Sequence, residues 1–292
     1  MALIIDKATE CRERALKALS DLPPFSPVLD RLLATLSSEN SSMAKISGIV
    51  ETDTVIAGNV LKLVNSALYG RRGTVNSVRH AVSLLGINKL RNTVFAMSIS
   101  RVWNQVKTAP GWSMARFNLH SVACALVCDN LAQTAAVEYA EGAFAAGLFH
   151  NVGSLLIAVG MPAELQEIRT LRSTTSMNLR ECEYEVLGTT HAELSAAALS
   201  VWNLPAAIQA GVRFHQEPAS DPTPKPGDAA RLSLAVRCAC DYLELSDIAP
   251  DDDCINPAPV KEPFLPLGIN VADARFLDSF QAELSLLGGM LK

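Results

Sequence analysis

The apolar residues of this chain recur with the period of an α-helix. The four leucines between positions 29 and 36 follow the spacing i, i+3, i+4, i+7, and the apolar residues between 56 and 64 repeat it. No stretch alternates with period two for long enough to be a convincing strand. The pattern therefore predicts an all-α fold, built as a helical bundle of two packed helical subdomains.

Prolines, glycines and capping residues set the expected helix boundaries. Residues 23–27 hold three prolines, which exclude a helix interior and predict an extended lead-in after a first helix over residues 1–20. Ser77 is placed to cap a helix that Gly86 ends. Beyond a break at 108–111, helices are predicted over about 113–134, 138–149, 152–160, 162–173, 178–186, 190–202, 205–216, 228–245 and the last amphipathic stretch.

These breaks divide the chain into three parts. We expect residues 1–107 to form an N-terminal helical subdomain and residues 108–246 a second one. Residues 247–292 read as an acidic, proline-rich loop followed by an amphipathic helix packed on the core.

Composition and charge limit the cellular compartments and the classes of partner that we expect for this chain. A net charge of −5 gives no electrostatic reason to expect nucleic acid or an anionic membrane as a partner. The seven cysteines include no CxxC pair, and the N-terminus lacks a signal-peptide pattern, so we expect reduced thiols and a cytoplasmic location. The apolar stretch 143–161 is interrupted by His150 and Asn151, which favours a buried helix pair over a membrane span.

The segment 147–153, Gly-Leu-Phe-His-Asn-Val-Gly, carries the sharpest chemical signal. A His followed directly by Asp, between an apolar helix and a glycine turn, is how one superfamily of hydrolases presents two adjacent metal ligands. Here Asn151 takes the second position. Its amide is neutral, coordinates metal more weakly, and cannot bridge two ions as a carboxylate can.

Several segments, in order, resemble the HDOD family, whose members are related to the HD-type metal phosphohydrolases. The matching segments are 22–29 (LPPFSPVL), 61–70 (LKLVNSALYG), 78–92, 147–153, 187–193 and 202–205. They cover roughly residues 20 to 216. The resemblance implies that the second subdomain has an HD-domain-like core.

The same resemblance implies a degenerate metal site. Its candidate residues are His120, His150, Asn151, His191, His215 and Asp241. Besides Asn151, Ser154 departs from the pattern, because active relatives often have Lys there. The resemblance therefore implies no required cofactor, with Mg, Mn, Fe, Zn or Ni as the divalent ions if the site holds one. A cluster of buried polar residues bonded to one another remains the alternative.

The function expected from the resemblance is a non-catalytic regulatory or interaction module in bacterial signal transduction, an output or adaptor protein. Its partner would be a protein of a two-component or cyclic-dinucleotide pathway, and its input would come from a separate chain. One alternative is a metal-dependent phosphohydrolase or phosphodiesterase with an Asn-substituted site. Another is a nucleotide-binding sensor that performs no chemistry. The sequence leaves the oligomeric state open.

Two further groups of residues keep two interpretations each. Asn65, Ser66, Tyr69, Arg71 and Arg72 lie at a helix end and turn, and form either a partner-binding surface or a polar helix end.

Cys124 and Cys128 follow His120 at i+4 and i+8 and are interpreted as core residues, with a thiolate ligand or redox sensor as the alternative. Cys238 and Cys240, two residues apart, do not face each other on a helix.

Overall fold

A computed structural model of the protein describes residues 2–36, 42–69, 74–224, 227–250 and 260–290. Within these ranges the chain is helical and contains no strand, only one isolated bridge between Val137 and Ala230. The all-α prediction is confirmed. Backbone contacts divide the chain into a larger unit, Met1–Leu22 with Val106–Ala274, and a smaller unit, Pro23–Gln105 with Arg275–Lys292.

The larger unit is built around the packed pair α7 (Met114–Thr134) and α8 (Ala143–Phe149). Helices α13 (Ala206–Arg213) and α14 (Leu232–Leu245) pack on this pair. Its fully buried side chains include Phe117 and Phe149. Its helices are α1 (Ala2–Ser20), α7 (Met114–Thr134), α8 (Ala143–Phe149), α9 (Val152–Gly160), α10 (Pro162–Thr174), α11 (Leu179–Leu187), α12 (His191–Val201), α13 (Ala206–Arg213) and α14 (Leu232–Leu245).

Several helices of this unit begin later than their sequence pattern predicts, and α8 and α14 do so by more than one residue. The helix expected from residue 138 starts at Ala143, because Tyr139 adopts a left-handed conformation (φ 52°) and a 3₁₀ turn follows. Pro205 is the N-cap of α13, so that helix begins one residue later. The helix expected from 228 begins at Leu232, after the bridge to Val137.

Residues Ala140–Gly160 are long and apolar enough to span a membrane by length and composition, yet 89% of that segment is buried inside the unit. The segment is not one helix, because α8 ends before His150 and α9 starts after Asn151. It is the buried helix pair that its small residues and polar interruption predict. Such burial is that of core helices in a globular domain.

The smaller unit contains α2 (Pro27–Leu36), α3 (Met43–Glu51), α4 (Thr54–Val64), α5 (Val78–Leu85), α6 (Ile87–Trp103) and α15 (Leu277–Gly288). Side chains of Ser42, Asp53 and Ser77 accept hydrogen bonds from the first free backbone N–H groups of α3, α4 and α5. Gly86 has a φ of 77°, which ends α5 and starts α6.

This grouping differs from the boundaries expected at both ends of the chain. Helix α1 belongs with the larger unit, because it packs closely on α9, where a side chain at Gly160 would meet Ala18. The last helix belongs with residues 23–105, since Glu283 pairs with Lys89 at 2.9 Å.

The helix end around Asn65 is held by its own side chain. The Asn65 amide donates to the carbonyls of Leu61 and Val75, and its oxygen accepts from the N–H of Val75, each at 2.8 Å. The Tyr69 ring lies 5.9 Å from the Lys89 ammonium group. The three hydrogen bonds of Asn65 give this residue a structural role at the end of α4.

A partner-binding role for Asn65, Ser66 and Tyr69 stays a prediction, and Arg71 and Arg72 lie outside the described residues.

Candidate functional site

Four histidines from separate helix ends and faces of the larger unit line one pocket of about 660 Å³. His120 lies on α7, His150 follows α8, His191 begins α12 and His215 follows α13. All four side chains are buried. Adjacent rings lie 5.1 to 5.4 Å apart between centroids, from His120 through His150 and His215 to His191. Asn151 lines the same pocket.

Gly153 and Ser195 fix the approach of α9 to α12 and thereby position His150 and His191. A Cβ atom on Gly153 would lie 2.0 Å from the His191 carbonyl oxygen, so only glycine fits there. The Gly153 N–H donates to the Ser195 hydroxyl at 2.7 Å, and that hydroxyl donates to the His150 carbonyl at 2.8 Å. The glycine of the sequence motif is thus a requirement of close packing.

Backbone carbonyls hold three of the four imidazoles by the same ring nitrogen. The Nδ1 atoms of His120, His150 and His215 lie 2.7 to 2.8 Å from the carbonyl oxygens of Ile248, Gly147 and Val212. Because a carbonyl oxygen can only accept, each Nδ1 carries the proton in these bonds. In the neutral ring each Nε2 is then left with a lone pair.

His191 is oriented by a buried carboxylate instead of a carbonyl. Its Nδ1 donates to Glu183, with the two carboxylate oxygens at 2.7 and 2.9 Å, and its backbone N–H donates to the same group at 3.1 Å. A carboxylate behind a histidine fixes the tautomer and orientation of the ring, an arrangement typical of metal-binding histidines. Glu183 has this position because it lies on α11, which precedes the α12 N-terminus.

The side-chain oxygen of Asn151 forms a hydrogen bond within its own segment of the chain. That oxygen accepts a hydrogen bond from the Ser154 hydroxyl at 2.5 Å, while the amide Nδ2 is buried without a hydrogen-bond partner. A pair of metal ions bridged by a carboxylate therefore does not fit these residues. What Asn151 offers to the pocket is an N–H donor.

Asp241, expected from the resemblance to complete the histidine cluster, is not among the residues that line the pocket. Its carboxylate forms an ion pair with Arg237, one turn earlier on α14, at 2.7 Å. Cys240 lines the pocket in its place. Residues 240 and 241 point about 100° apart on α14, and it is Cys240 that lines the pocket.

Cys240 lies close enough to His120 and His150 for the three side chains to share one metal ion, with donor atoms within 4.8 Å of one another. A hydrogen bond from the Cys124 thiol, together with the neighbouring imidazoles, holds the pKa of Cys240 well below its usual value. Burial opposes the charged form of His150, but the Cys240 sulfur raises the pKa of that imidazole overall. Burial lowers the pKa of His215 to about 3, so that ring is neutral near pH 7.

The pocket also has a basic lining. Its arginines are Arg169, Arg172, Arg180 and Arg237. Arg180 pairs with Glu217 at 2.7 Å, and both residues are about half exposed. Guanidinium groups are donors that bind anionic groups in proteins.

An all-helical unit that presents histidines from helix ends into one pocket defines a protein with the HD-like helical fold. The HDOD domain profile matches residues 22–218, and the chain belongs to the HDOD family.

Among solved structures, an HDOD domain protein of unknown function from Geobacter sulfurreducens is 20% identical with a TM-score of 0.75, covering 97% of both chains. A protein of Shewanella amazonensis SB2B, provisionally named a phosphohydrolase, is 25% identical with a TM-score of 0.70, covering 96% of this chain and 98% of that one.

A protein of Marinobacter aquaeolei VT8, provisionally named a signal transduction protein, is 20% identical with a TM-score of 0.70. That match covers 97% of this chain and 66% of the other. Matches at 20% identity show the shared fold alone. The chain spans 38% of the length of the curated relative that it matches.

Sequence reasoning missed Cys240, Glu183 and the arginines. The signal for Cys240 was present, because residues 237, 240 and 244 have the spacing i, i+3, i+7 and all three line the pocket. The spacing between Cys238 and Cys240 alone does not show this shared helix face. Neither Glu183 nor the arginines carry a local motif, and only the packing of α10, α11 and α14 brings them to the histidines.

Proposed function

We propose that this protein is a non-catalytic regulatory module of bacterial signal transduction, acting on a protein partner in the cytoplasm. The observation that carries the proposal is Asn151, whose buried amide occupies the place of a bridging carboxylate. Hydrolysis of a phosphate ester by this fold requires metal-activated water and charge neutralisation at phosphate. A neutral amide whose oxygen is bonded to Ser154 supplies neither.

The remaining carboxylates near the histidines are already used. Glu183 binds His191, and Glu217 pairs with Arg180. The name of the Marinobacter relative supports a signalling role, and that of the Shewanella relative supports the alternative of a phosphohydrolase. The partner's expected pathway, two-component or cyclic-dinucleotide signalling, follows from the family resemblance.

Hydrolysis assays test the catalytic half of this proposal. Purified protein is incubated with bis(p-nitrophenyl) phosphate, nucleotides and cyclic dinucleotides in the presence of Mg²⁺, Mn²⁺, Fe²⁺, Ni²⁺ or Zn²⁺. We expect the wild type and His150→Ala to release product at the same background rate. Metal-dependent turnover that is lost in His150→Ala would establish the phosphohydrolase instead.

Affinity capture from the native host tests the regulatory half. Tagged protein should retain a specific signalling protein in amounts comparable to its own, identified by mass spectrometry. Repeated capture without any such partner, together with a wild-type growth and signalling phenotype on deletion of the gene, would contradict a regulatory role.

A second candidate function, a nucleotide-binding sensor without chemistry, is favoured by the donors in the pocket. Four arginines line it, and the buried Nδ2 of Asn151 has no hydrogen-bond partner. Unsatisfied buried donors are costly, and a phosphate oxygen would satisfy this one.

Thermal unfolding with nucleotides tests the sensor. Saturating ligand at about 100 times its Kd stabilises a protein by about 2.7 kcal/mol. We expect a nucleotide to raise the Tm of the wild type and to have a smaller effect on Arg180→Gln. Arg213→Gln is the matched control, because Arg213 pairs with Glu193 but does not line the pocket. No Tm shift with any nucleotide would count against a sensor.

A further inference from the structure

The Nε2 atoms of His120 and His150 lie 3.2 Å apart, and both rings have already committed Nδ1 to a backbone carbonyl. In the neutral state two lone pairs would therefore face each other at hydrogen-bond distance with no proton between them. A positive species shared by the two nitrogens would relieve this repulsion. That species is either an extra proton or a metal ion.

The separation matches two ligands of one ion. Zinc–imidazole bonds are about 2.0–2.1 Å, so two such bonds at a tetrahedral angle place the nitrogens about 3.3 Å apart. The observed 3.2 Å is close to this value. Two ions bound separately by the two rings would push the nitrogens further apart.

A third donor comes from α14. The Cys240 sulfur and the two ring nitrogens lie within 4.8 Å of one another. A thiolate beside two imidazoles selects Zn²⁺ and its borderline neighbours over Mg²⁺ or Mn²⁺.

We propose that His120, His150 and Cys240 bind one zinc-type ion, in place of the carboxylate-bridged pair for which this site lacks ligands. His215 is available as a fourth ligand, because its Nδ1 donates to Val212 and its ring is 5.2 Å from that of His150. The inference does not rest on the protein being non-catalytic. It concerns only which ion the pocket holds and which atoms bind it.

Metal analysis and cobalt spectroscopy test the site. Apo-protein is reconstituted with Zn²⁺ for mass-spectrometric metal analysis, and with Co²⁺ for absorption spectra. We expect about one ion per chain and a thiolate-to-cobalt charge-transfer band in the near ultraviolet. The band should disappear in Cys240→Ser, and Zn²⁺ affinity should fall at least about tenfold in His120→Ala and His150→Ala.

Cys238→Ser is the matched control, because Cys238 lies on the same helix, is buried, and does not line the pocket. It should keep both the band and the stoichiometry, and circular dichroism of each apo-variant checks folding. An unchanged band in Cys240→Ser, two ions per chain, or no bound Zn²⁺ or Co²⁺ at micromolar concentrations would overturn the inference. None of these results depends on hydrolysis, so the two proposals fail separately.

Discussion

The side-chain oxygen of Asn151 accepts a hydrogen bond from the Ser154 hydroxyl at 2.5 Å, at the floor of a pocket lined by four histidines. This bond uses one of the two lone pairs on the only side-chain atom of Asn151 that could bind a cation. The family resemblance implies Asp and Lys at these two positions in active relatives. Together Asn151 and Ser154 turn a metal-bridging position into a hydrogen-bonded amide.

Asn151→Asp should therefore restore affinity for hard divalent cations. A carboxylate adds a negative charge to a buried site, and we expect Mn²⁺ binding to tighten by about tenfold or more, or ~1.4 kcal/mol. Isothermal titration calorimetry measures the change. Ser154→Ala frees the amide oxygen from its hydrogen bond but adds no charge, so Mn²⁺ affinity should change far less than in Asn151→Asp. Equal affinities for Asn151→Asp and the wild type would show that residue 151 does not control cation binding.

Gly153→Ala should destabilise the larger unit severely. The added Cβ would meet the His191 carbonyl oxygen at 2.0 Å, and relief requires α9 and α12 to separate. We expect a loss of several kcal/mol, comparable to the worst packing changes in protein cores. Gly58→Ala, in α4 of the smaller unit, has open space around the new atom and should stabilise by about 0.5–1 kcal/mol. Urea denaturation of both variants checks the contrast.

Asn65→Ala should weaken the smaller unit by removing the two hydrogen bonds that tie the end of α4 to Val75, together with the bond to the Leu61 carbonyl. We expect a loss of about 1–3 kcal/mol in the free energy of unfolding, because the Val75 backbone groups lose their partner. Asn65→Asp keeps the acceptor for the Val75 N–H but loses the donor, so its cost should be smaller. Chemical denaturation distinguishes the two, and an alanine variant as stable as the wild type would contradict the structural role of Asn65.

Asp53 should make the stability of the smaller unit depend on acid pH. Burial alone would raise the pKa of this carboxyl, but hydrogen bonds from Ile56 and Val55 and the Arg101 guanidinium lower it below its usual 3.8. The ionised group thus adds stability above about pH 3.8 that is lost as the pH falls through the lower folded pKa.

Asp53→Asn keeps the cap but loses the charge. The advantage of the wild type over this variant should reach about 1 kcal/mol or less and shrink between pH 6 and pH 3, as measured by denaturant unfolding. An advantage that is constant across this range would contradict a depressed pKa.

Local signals predicted most of the fold. The helical period placed the elements, and capping residues such as Ser77 fixed helix starts that the structure keeps. The predicted helix starts and unit boundaries were wrong where contacts between distant segments determine them. The late start of α14 follows a bridge to Val137. The assignment of α15 to the smaller unit depends on the contact between Lys89 and Glu283, which lie 194 residues apart in the sequence.

The site was predictable only as far as the family resemblance reached. It named the four histidines and Asn151, which the structure brings to one pocket. The resemblance did not reveal that Cys240 rather than Asp241 faces the histidines. The rotation of α14 about its axis determines which of these two adjacent side chains enters the pocket. Nor could the resemblance reveal the proton positions of the histidines, which are set by the carbonyls of Gly147, Val212 and Ile248.

A single-turnover assay tests the absence of catalysis most directly. Wild-type protein and His150→Ala, each in excess over bis(p-nitrophenyl) phosphate and supplied with Mn²⁺ or Zn²⁺, are followed for the same period as a protein-free control that contains the same metal. Because the protein is in excess, slow product release cannot hide a chemical step. We predict identical rates for the two proteins with either metal. A first-order release by the wild type that is faster than in His150→Ala and requires the added metal would contradict the proposal.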